Sequence, residues 1–284
     1  MKNNTEYKLP ILSLLLEAAE LIKSNIPRLF LVGTPFLVVC IAAGLWMRPM
    51  FTGDPSSPED FSFGMFFLAW LAMMTTMIMA TVGCHRTFLL QGPDAPKTPI
   101  IRWGWREMRF IGKWILIGLC AMVLAMPFMF LIMPFLVKSG QELMENQYLF
   151  LIGTNLIYLP IYYVIARLML VLPATAIDER WSLTDAWRNS SGNGWRVMLV
   201  VGIVPMIVNL IISLLPALDS ILYFVFHVVL WLVVAVYGIA LLSLSYKYLS
   251  ENNQQLLTLS NEKLDAQVSD EDFYAGPNGP ELRD

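Results

Sequence analysis

The chain has 284 residues, of which 57% are hydrophobic and only 14% are charged. Soluble domains carry charge on about 25% of their residues, so this composition excludes an ordinary soluble protein. The formal net charge of -3 conceals an asymmetry between the loops and the tail, so the net charge by itself does not identify a partner. We predict no nucleic-acid partner. Three cysteines, Cys40, Cys84 and Cys120, have no metal-binding spacing, and we interpret them as packed thiols.

The first predicted element is an amphipathic helix over residues 11–24. Its polar residues Ser13, Glu17, Glu20 and Ser24 recur at helical spacing, and apolar residues occupy the other faces. This pattern is typical of a helix that lies at a membrane surface. Residues 1–27 are therefore predicted to form a cytoplasmic N-terminal segment.

Six apolar stretches follow, each long enough to cross about 30 Å of hydrocarbon as a helix of about 20 residues. They lack the alternation of a membrane barrel, so the sequence predicts an all-α polytopic membrane helical bundle over 28–249. Prolines within the spans are expected to kink the helices rather than end them. The predicted spans are 28–47, 63–84, 112–136, 148–168, 197–217 and 222–245.

The basic residues predict the orientation. All of the 19 lysines and arginines except Arg48 and Lys138 fall in the N-terminal segment, the second and fourth connections or the region after the last span. The positive-inside rule then places both termini in the cytoplasm.

Two of these cytoplasmic connections are predicted to contain surface helices, over 99–109 and 182–190. Their basic and aromatic composition favours contact with anionic headgroups. The tryptophans near these connections are interpreted as an interfacial belt, with ligand stacking as the alternative. They are Trp103, Trp105, Trp114, Trp181, Trp187 and Trp195.

Residues 250–284 are polar and acidic, and little apolar surface remains for a core. The sequence predicts a disordered acidic cytoplasmic tail there.

The spans also suggest an internal repeat. Arg86, Arg167 and Lys247 end alternate spans at intervals of 81 and 80 residues. A fixed interval of this kind predicts one unit used three times, here a surface helix followed by a helical pair.

Arg167 is unusual because ten uncharged residues follow it. A charge in hydrocarbon must snorkel, pair or line a polar cavity. The alternative to snorkelling is a basic ring of Arg86, Arg167 and Lys247 that holds an anionic headgroup or ligand. The full set of candidate lipid or ligand contacts is Arg86, Arg167, Lys247, Arg106, Arg188, Trp105 and Trp187.

The sequence offers no candidate for catalysis or cofactor binding. His227 in the last span has no acidic or basic partner in any span interior, so a packed, hydrogen-bonded histidine is favoured over a proton relay. The methionines of the second span are interpreted as packing, with a Cu(I) path as the alternative. Catalytic and phosphate-binding motifs are absent, so we predict a protein that is not an enzyme and has no metal or cofactor site.

The chain resembles the YciC-like family of bacterial inner-membrane proteins and the related membrane domain of some glycerophosphoryl diester phosphodiesterases. The resemblance rests on Arg167, the LPATAIDE that follows the fourth span, and the DAWRNSSGNGWR before the fifth. It covers most of residues 10–250 and implies a six-helix protein of the cytoplasmic membrane. The phosphodiesterase activity is not implied, because the resemblance involves the membrane domain alone.

These features predict a non-enzymatic integral inner-membrane protein that binds membrane lipids, in particular anionic headgroups, or a membrane-protein partner. Its expected role is in envelope or membrane organisation. The alternative is a small transporter or channel with its pathway at the centre of the repeat bundle.

Overall fold

All regular secondary structure in the described residues is helical. The computed structural model describes residues 8–52, 63–90, 103–145, 158–213 and 221–274. The helices are α1 (Ile11–Thr52), α2 (Phe63–Leu89), α3 (Trp105–Glu145), α4 (Leu159–Leu168), α5 (Val171–Ala176), α6 (Leu183–Asn189), α7 (Gly194–Val197), α8 (Val204–Ser213) and α9 (Ile221–Tyr274), with a π-helical segment at Met198–Ile203 between α7 and α8.

Six helical segments in the described part of the chain are long and apolar enough to cross a membrane. They confirm the predicted all-α, six-helix membrane bundle and make the chain a multi-pass integral membrane protein. The segments are Ile11–Met47, Phe63–Leu89, Trp105–Phe130, Leu159–Ala176, Gly194–Ile212 and Leu222–Asn252. Of the predicted fourth span, residues 148–157 lie outside the described part of the chain.

Helix α1 joins the predicted surface helix and the first predicted span. The boundary predicted at residue 27 does not interrupt it, because α1 is continuous from Ile11 to Thr52. Pro27 removes only one backbone N–H, and the Leu, Ala, Glu and Lys residues before it are strong helix formers. Packing of α1 against α2 and α9 supports the continuous helix.

Helix α9 corrects the prediction of a disordered tail. It extends past the membrane-spanning part as far as Tyr274, so residues 250–274 are helical. The segment contains neither glycine nor proline, and its Glu, Gln, Leu, Lys and Ala residues favour a helix even where no core is available. Residues 275–284 lie outside the described part of the chain.

The predicted surface helix at 182–190 is present as α6. A capping box begins it, in which Asp185 N donates to Ser182 Oγ at 3.1 Å and Ser182 N donates to Asp185 Oδ2 at 2.9 Å. The other predicted surface helix, at 99–109, is only partly described, and Trp105–Arg109 form the start of α3 instead.

Prolines inside the spans behave in two ways. Pro35 and Pro127 lie within the unbroken helices α1 and α3, in agreement with the prediction that proline would not end them. Pro160 instead occupies the first turn of α4, where a missing N–H costs no hydrogen bond. Pro205 lies in the first turn of α8, directly after the π-helical segment.

The short helix α5 is the packing centre of the bundle. All six of its residues, from Val171 to Ala176, are buried. It packs against α2, α3, α6 and α9. Helix α5 has the sequence VLPATA, so this motif forms the centre of the core. Its burial also fixes the position of the residues that follow it in the chain.

Candidate functional site

The residue that follows the buried helix α5 is placed by an unusual backbone conformation. Asp178 has a φ of 70°, in the left-handed region that aspartate tolerates better than most side chains. Its N–H donates to the carbonyl of Thr175 at 3.2 Å, and Glu179 N donates to the carbonyl of Ala174 at 2.9 Å. These bonds end α5 and hold the Asp178 carboxylate at the edge of the core.

Three arginines from two other helices converge on this carboxylate. Arg109 Nη2 lies 2.7 Å from Asp178 Oδ1, and the Nη1 atoms of Arg86 and Arg106 each lie 3.3 Å from Oδ2. Arg86 Nη1 also donates to the carbonyl of Ala176 at 3.1 Å. We call the set of Arg86, Arg106, Arg109, Asp178 and Glu107 the basic cluster.

Glu107 fixes the position of Arg106. It is only 3% exposed, and its Oε1 accepts hydrogen bonds from Arg106 Nη2 at 3.0 Å and Nε at 3.2 Å. Its Oε2 accepts a bond from Gly104 N at 2.9 Å, which satisfies a free donor at the start of α3. The guanidinium of Arg106 is therefore preorganised by a buried carboxylate on the same helix.

The basic cluster has more donors than acceptors. Three guanidiniums face two carboxylates, and Arg86 Nε and Arg109 Nε are buried without a hydrogen-bond partner among the described residues. The Asp178 side chain is 48% exposed, so the cluster is reached from outside. Buried donors without acceptors are costly, and grouped guanidiniums match the geometry of phosphate oxygens. The arrangement can thus hold an oxyanion.

Arg167 has a different environment. Its side chain is buried, with Nε donating to Ser190 Oγ at 2.8 Å, Nη1 to Tyr163 Oη at 3.2 Å and Nη2 to the carbonyl of Trp187. The guanidinium carbon lies 3.5 Å from the ring centroid of Trp187, a cation–π contact. Arg167 therefore does not snorkel. Its described hydrogen bonds go to Tyr163 on α4, to Trp187 on α6 and to Ser190 directly after α6, and none goes to the basic cluster.

Two residues of the GNGWR sequence, Asn193 and Arg196, bind the N-terminal part of the described chain. Leu9 N donates to Asn193 Oδ1 at 2.7 Å, and Arg196 Nη1 donates to the carbonyl of Leu9 at 2.7 Å. Leu9 itself is fully buried. Tyr248 Oη on α9 donates to the neighbouring carbonyl of Lys8 at 3.3 Å. These contacts give Asn193 and Arg196 a structural role.

The remaining predicted contacts lie on the outer surface. Trp105 is 76% exposed and Trp187 is 40% exposed, as expected of aromatic side chains at a membrane interface. Among the described residues, Arg188 pairs with Asp185 on its own helix, at 3.1 Å. Lys247 is half-buried on α9. The predicted basic ring of Arg86, Arg167 and Lys247 stays a prediction.

Two neighbouring cavities lie within the membrane-spanning part of the bundle. The first has a volume of about 270 Å³ and the second of about 530 Å³. Both are walled mainly by apolar side chains, and Met169, Val201, Pro205 and Asn209 line both of them.

Among the described residues, no three His, Cys, Asp or Glu side chains come together in a group that could hold a metal ion. His227 packs against Tyr223 with ring centroids 5.8 Å apart, but its Nδ1 is buried with no described hydrogen-bond partner. His85 is more informative, because it is 1% exposed and its Nδ1 lies 2.7 Å from Ser243 Oγ on α9.

Sequence reasoning identified Arg86 and Arg106 but missed Asp178, Arg109 and Glu107. The one available signal for Asp178 was its position in LPATAIDE, where a carboxylate directly follows an apolar motif. Its three partners are 69 to 92 residues away, and no local spacing indicates that they meet.

Comparisons with known proteins do not name a relative. No protein-family model, curated protein or solved structure matches this chain.

Proposed function

We propose that this integral membrane protein binds anionic phospholipid headgroups at the basic cluster and thereby contributes to membrane or envelope organisation. The observation that carries the proposal is the group of three arginines around one half-exposed carboxylate, with two buried Nε–H groups that lack a described acceptor. A phosphate group at the exposed side of the cluster would accept hydrogen bonds from the accessible part of the guanidinium groups, of which Arg109 is 32% exposed. Its charge would also balance the third guanidinium, since the described residues of the cluster supply only two carboxylates.

The position of the cluster supports a lipid as the source of that phosphate. Arg86 lies in the last turn of α2, and Arg106 and Arg109 lie in the first turns of α3, at the ends of two membrane-spanning segments. Exposed Trp103 and Trp105 lie beside them. Arginine and tryptophan together at the end of a span are typical of the headgroup region.

The distribution of basic residues places this end of the bundle in the cytoplasm, where anionic lipids attract positive charge. The resemblance to the YciC-like family extends the proposal to the bacterial inner membrane, with both termini cytoplasmic. A non-enzymatic role belongs to the same proposal, and it rests on the absence of a catalytic motif in the sequence. The proposal also includes binding of a membrane-protein partner at the same exposed face of the cluster.

Native mass spectrometry of the purified protein with added lipid tests this proposal. The probes are phosphatidylglycerol and, as the neutral-headgroup comparison, phosphatidylcholine. We expect a clear preference for phosphatidylglycerol, reduced about fivefold by Arg109→Gln, since one arginine near a membrane surface contributes about 1 kcal/mol.

The matched control is Lys23→Gln, which removes the same charge from an exposed position on α1 outside the cluster. It is expected to change the preference little. Equal binding of the two lipids, or equal effects of the two substitutions, would show that general charge rather than this cluster attracts the lipid.

Transport is the second candidate, and the two neighbouring cavities are the observation that favours it. Their walls are mainly apolar, which suits an amphiphile better than an ion. Reconstituted vesicles would test the idea, because saturable movement of a fluorescent lipid that requires this protein would favour transport over static binding.

A further inference from the structure

The smaller cavity lies beside the basic cluster but is chemically distinct from it. Its walls come from α2, α3, the α4–α5 region, the π-helical segment, α8 and α9. None of the lining residues is charged. A ligand of this cavity must therefore be neutral, since a buried charge without a counter-charge is costly. The cavity inference does not depend on the lipid-binding function proposed for the cluster.

The cavity communicates with the outside of the bundle within a membrane-spanning region. Trp114 on α3 and Trp231 on α9 both line it, and each is 44% exposed. Both residues lie inside segments long and apolar enough to span a membrane. Molecules that reach the cavity by this route come from the lipid-facing side of the bundle, which favours lipids and other apolar compounds.

His85 gives the cavity a fixed hydrogen-bond acceptor. Ser243 Oγ has one hydrogen, which it donates to the carbonyl of Ile239 at 2.8 Å. Ser243 must then accept the hydrogen of His85 Nδ1 across their 2.7 Å contact. This assignment leaves Nε2 of the neutral imidazole with a lone pair, and Nε2 makes no hydrogen bond to a described residue. The imidazole ring is also held by Phe110, whose centroid lies 6.1 Å away.

Thr81, one helical turn earlier on α2, also offers the cavity a hydrogen-bond acceptor. It lines the same cavity, and its hydroxyl donates to the carbonyl of Met77 at 2.8 Å. Its oxygen is left with acceptor capacity only. Residues four apart lie on one face of a helix, so α2 presents two acceptors and no polar donor to the cavity.

We propose that this cavity binds a neutral lipid with a free hydroxyl group, and that the hydroxyl donates to His85 Nε2. The apolar part of the lipid lies against Met169, Leu172 and Ile239, next to the larger cavity that shares four lining residues with this one. Pockets for small ligands are mostly apolar with a few placed polar groups and have volumes of about 300 to 1,000 Å³. The larger cavity, of about 530 Å³, lies within this range, and the smaller one, of about 270 Å³, lies just below it. Diacylglycerol and a quinol both offer this chemistry.

Photo-crosslinking of the purified full-length chain tests the proposal. The probe is a diacylglycerol with a diazirine in one acyl chain, and the comparison is the same molecule with its hydroxyl converted to a methyl ether. We expect crosslinks on cavity-lining peptides, with labelling by the methyl ether reduced about fivefold through loss of one buried hydrogen bond. Competition with unlabelled diacylglycerol or with a quinol then distinguishes the two sources.

His85→Asn isolates the acceptor. The asparagine amide can still donate to Ser243, but the substitution removes the Nε2 acceptor from the cavity. We therefore expect labelling of the cavity-lining peptides by the diacylglycerol probe to fall by about fivefold. His227→Asn is the matched control on α9 and is expected to label like the unmodified chain. Equal labelling by the hydroxyl and methyl ether probes, or unchanged labelling of His85→Asn, would overturn the proposal.

A second variant covers the case in which His85→Asn does not fold. Ala235→Leu adds three carbons at the cavity wall, and Ala42→Leu adds the same carbons at an exposed position on α1. Only the first is expected to reduce labelling of the cavity peptides. Equal labelling of both variants would place the lipid elsewhere and refute the cavity as its site.

Discussion

The pocket around Arg167 and the basic cluster both contain arginine side chains, but the two regions differ in burial and in the number of hydrogen-bond acceptors around each guanidinium. Arg167 is 6% exposed and has three hydrogen-bond acceptors and an aromatic face around it. In the cluster, Arg86 and Arg109 share one half-exposed carboxylate, and the Nε of each has no hydrogen-bond partner among the described residues. A satisfied arginine stabilises the fold, whereas arginines with donors in surplus are available to a ligand.

The largest expected effect comes from removing the satisfied arginine. Arg167→Ala eliminates three hydrogen bonds from a charged donor and the contact with Trp187, and we expect the free energy of unfolding to fall by about 3 kcal/mol. Thermal unfolding in detergent measures this change. Arg109→Ala is the comparison within the cluster and is expected to cost under about 1 kcal/mol. Equal losses would remove the distinction between the two regions.

A glycine next to the Arg167 pocket provides the next test. A Cβ added at Gly194 would lie 2.5 Å from Tyr163 Oη and 2.9 Å from its ring, so Gly194→Ala should displace an acceptor of Arg167. Overpacking of this kind costs about 1 to 3 kcal/mol. At Gly112 on α3 a Cβ would meet nothing within 4 Å. Gly112→Ala is therefore the control, and an equal fall in thermal stability for both would contradict the packing argument.

A third change acts on the cluster alone. Asp178→Asn keeps a side chain that tolerates the left-handed backbone but removes the charge shared by the three arginines. We expect phosphatidylglycerol binding to strengthen about fivefold, because a competing carboxylate is lost near the headgroup. Native mass spectrometry measures the binding. Asp185→Asn alters a carboxylate outside the cluster, and a similar gain there would contradict the site.

The smallest effect concerns the cap of α6, the helix that carries Trp187 and Ser190. Hydrogen bonds from Ser182 hold the pKa of Asp185 below its usual value. A carboxyl with a depressed folded pKa contributes stability above its unfolded pKa and loses it as the pH falls through the folded pKa. We expect a shallow loss of thermal stability below about pH 5 that Asp185→Asn reduces. An identical pH profile for both proteins would show that other carboxyl groups dominate.

Prediction from the sequence succeeded where the signal is local or is summed over a long segment. Six apolar stretches gave six helices, and a helix is present at the position predicted over 182–190. It failed at element ends, where α1 ran on through Pro27 and α9 continued to Tyr274. Helix ends depend on small differences in propensity and packing that composition does not resolve. The threefold repeat and the family resemblance stay predictions.

The sequence by itself determined that the chain is a six-helix membrane protein, because burial of about 20 apolar residues in hydrocarbon leaves few alternatives. It also marked Arg86, Arg106 and Arg167 as residues of interest. Only the tertiary structure decided their roles, since hydrogen-bond partners 69 to 92 residues apart meet at Asp178 through helix packing. The same packing enclosed Arg167 among Ser190, Tyr163 and Trp187, where each of its three guanidinium nitrogens donates a hydrogen bond.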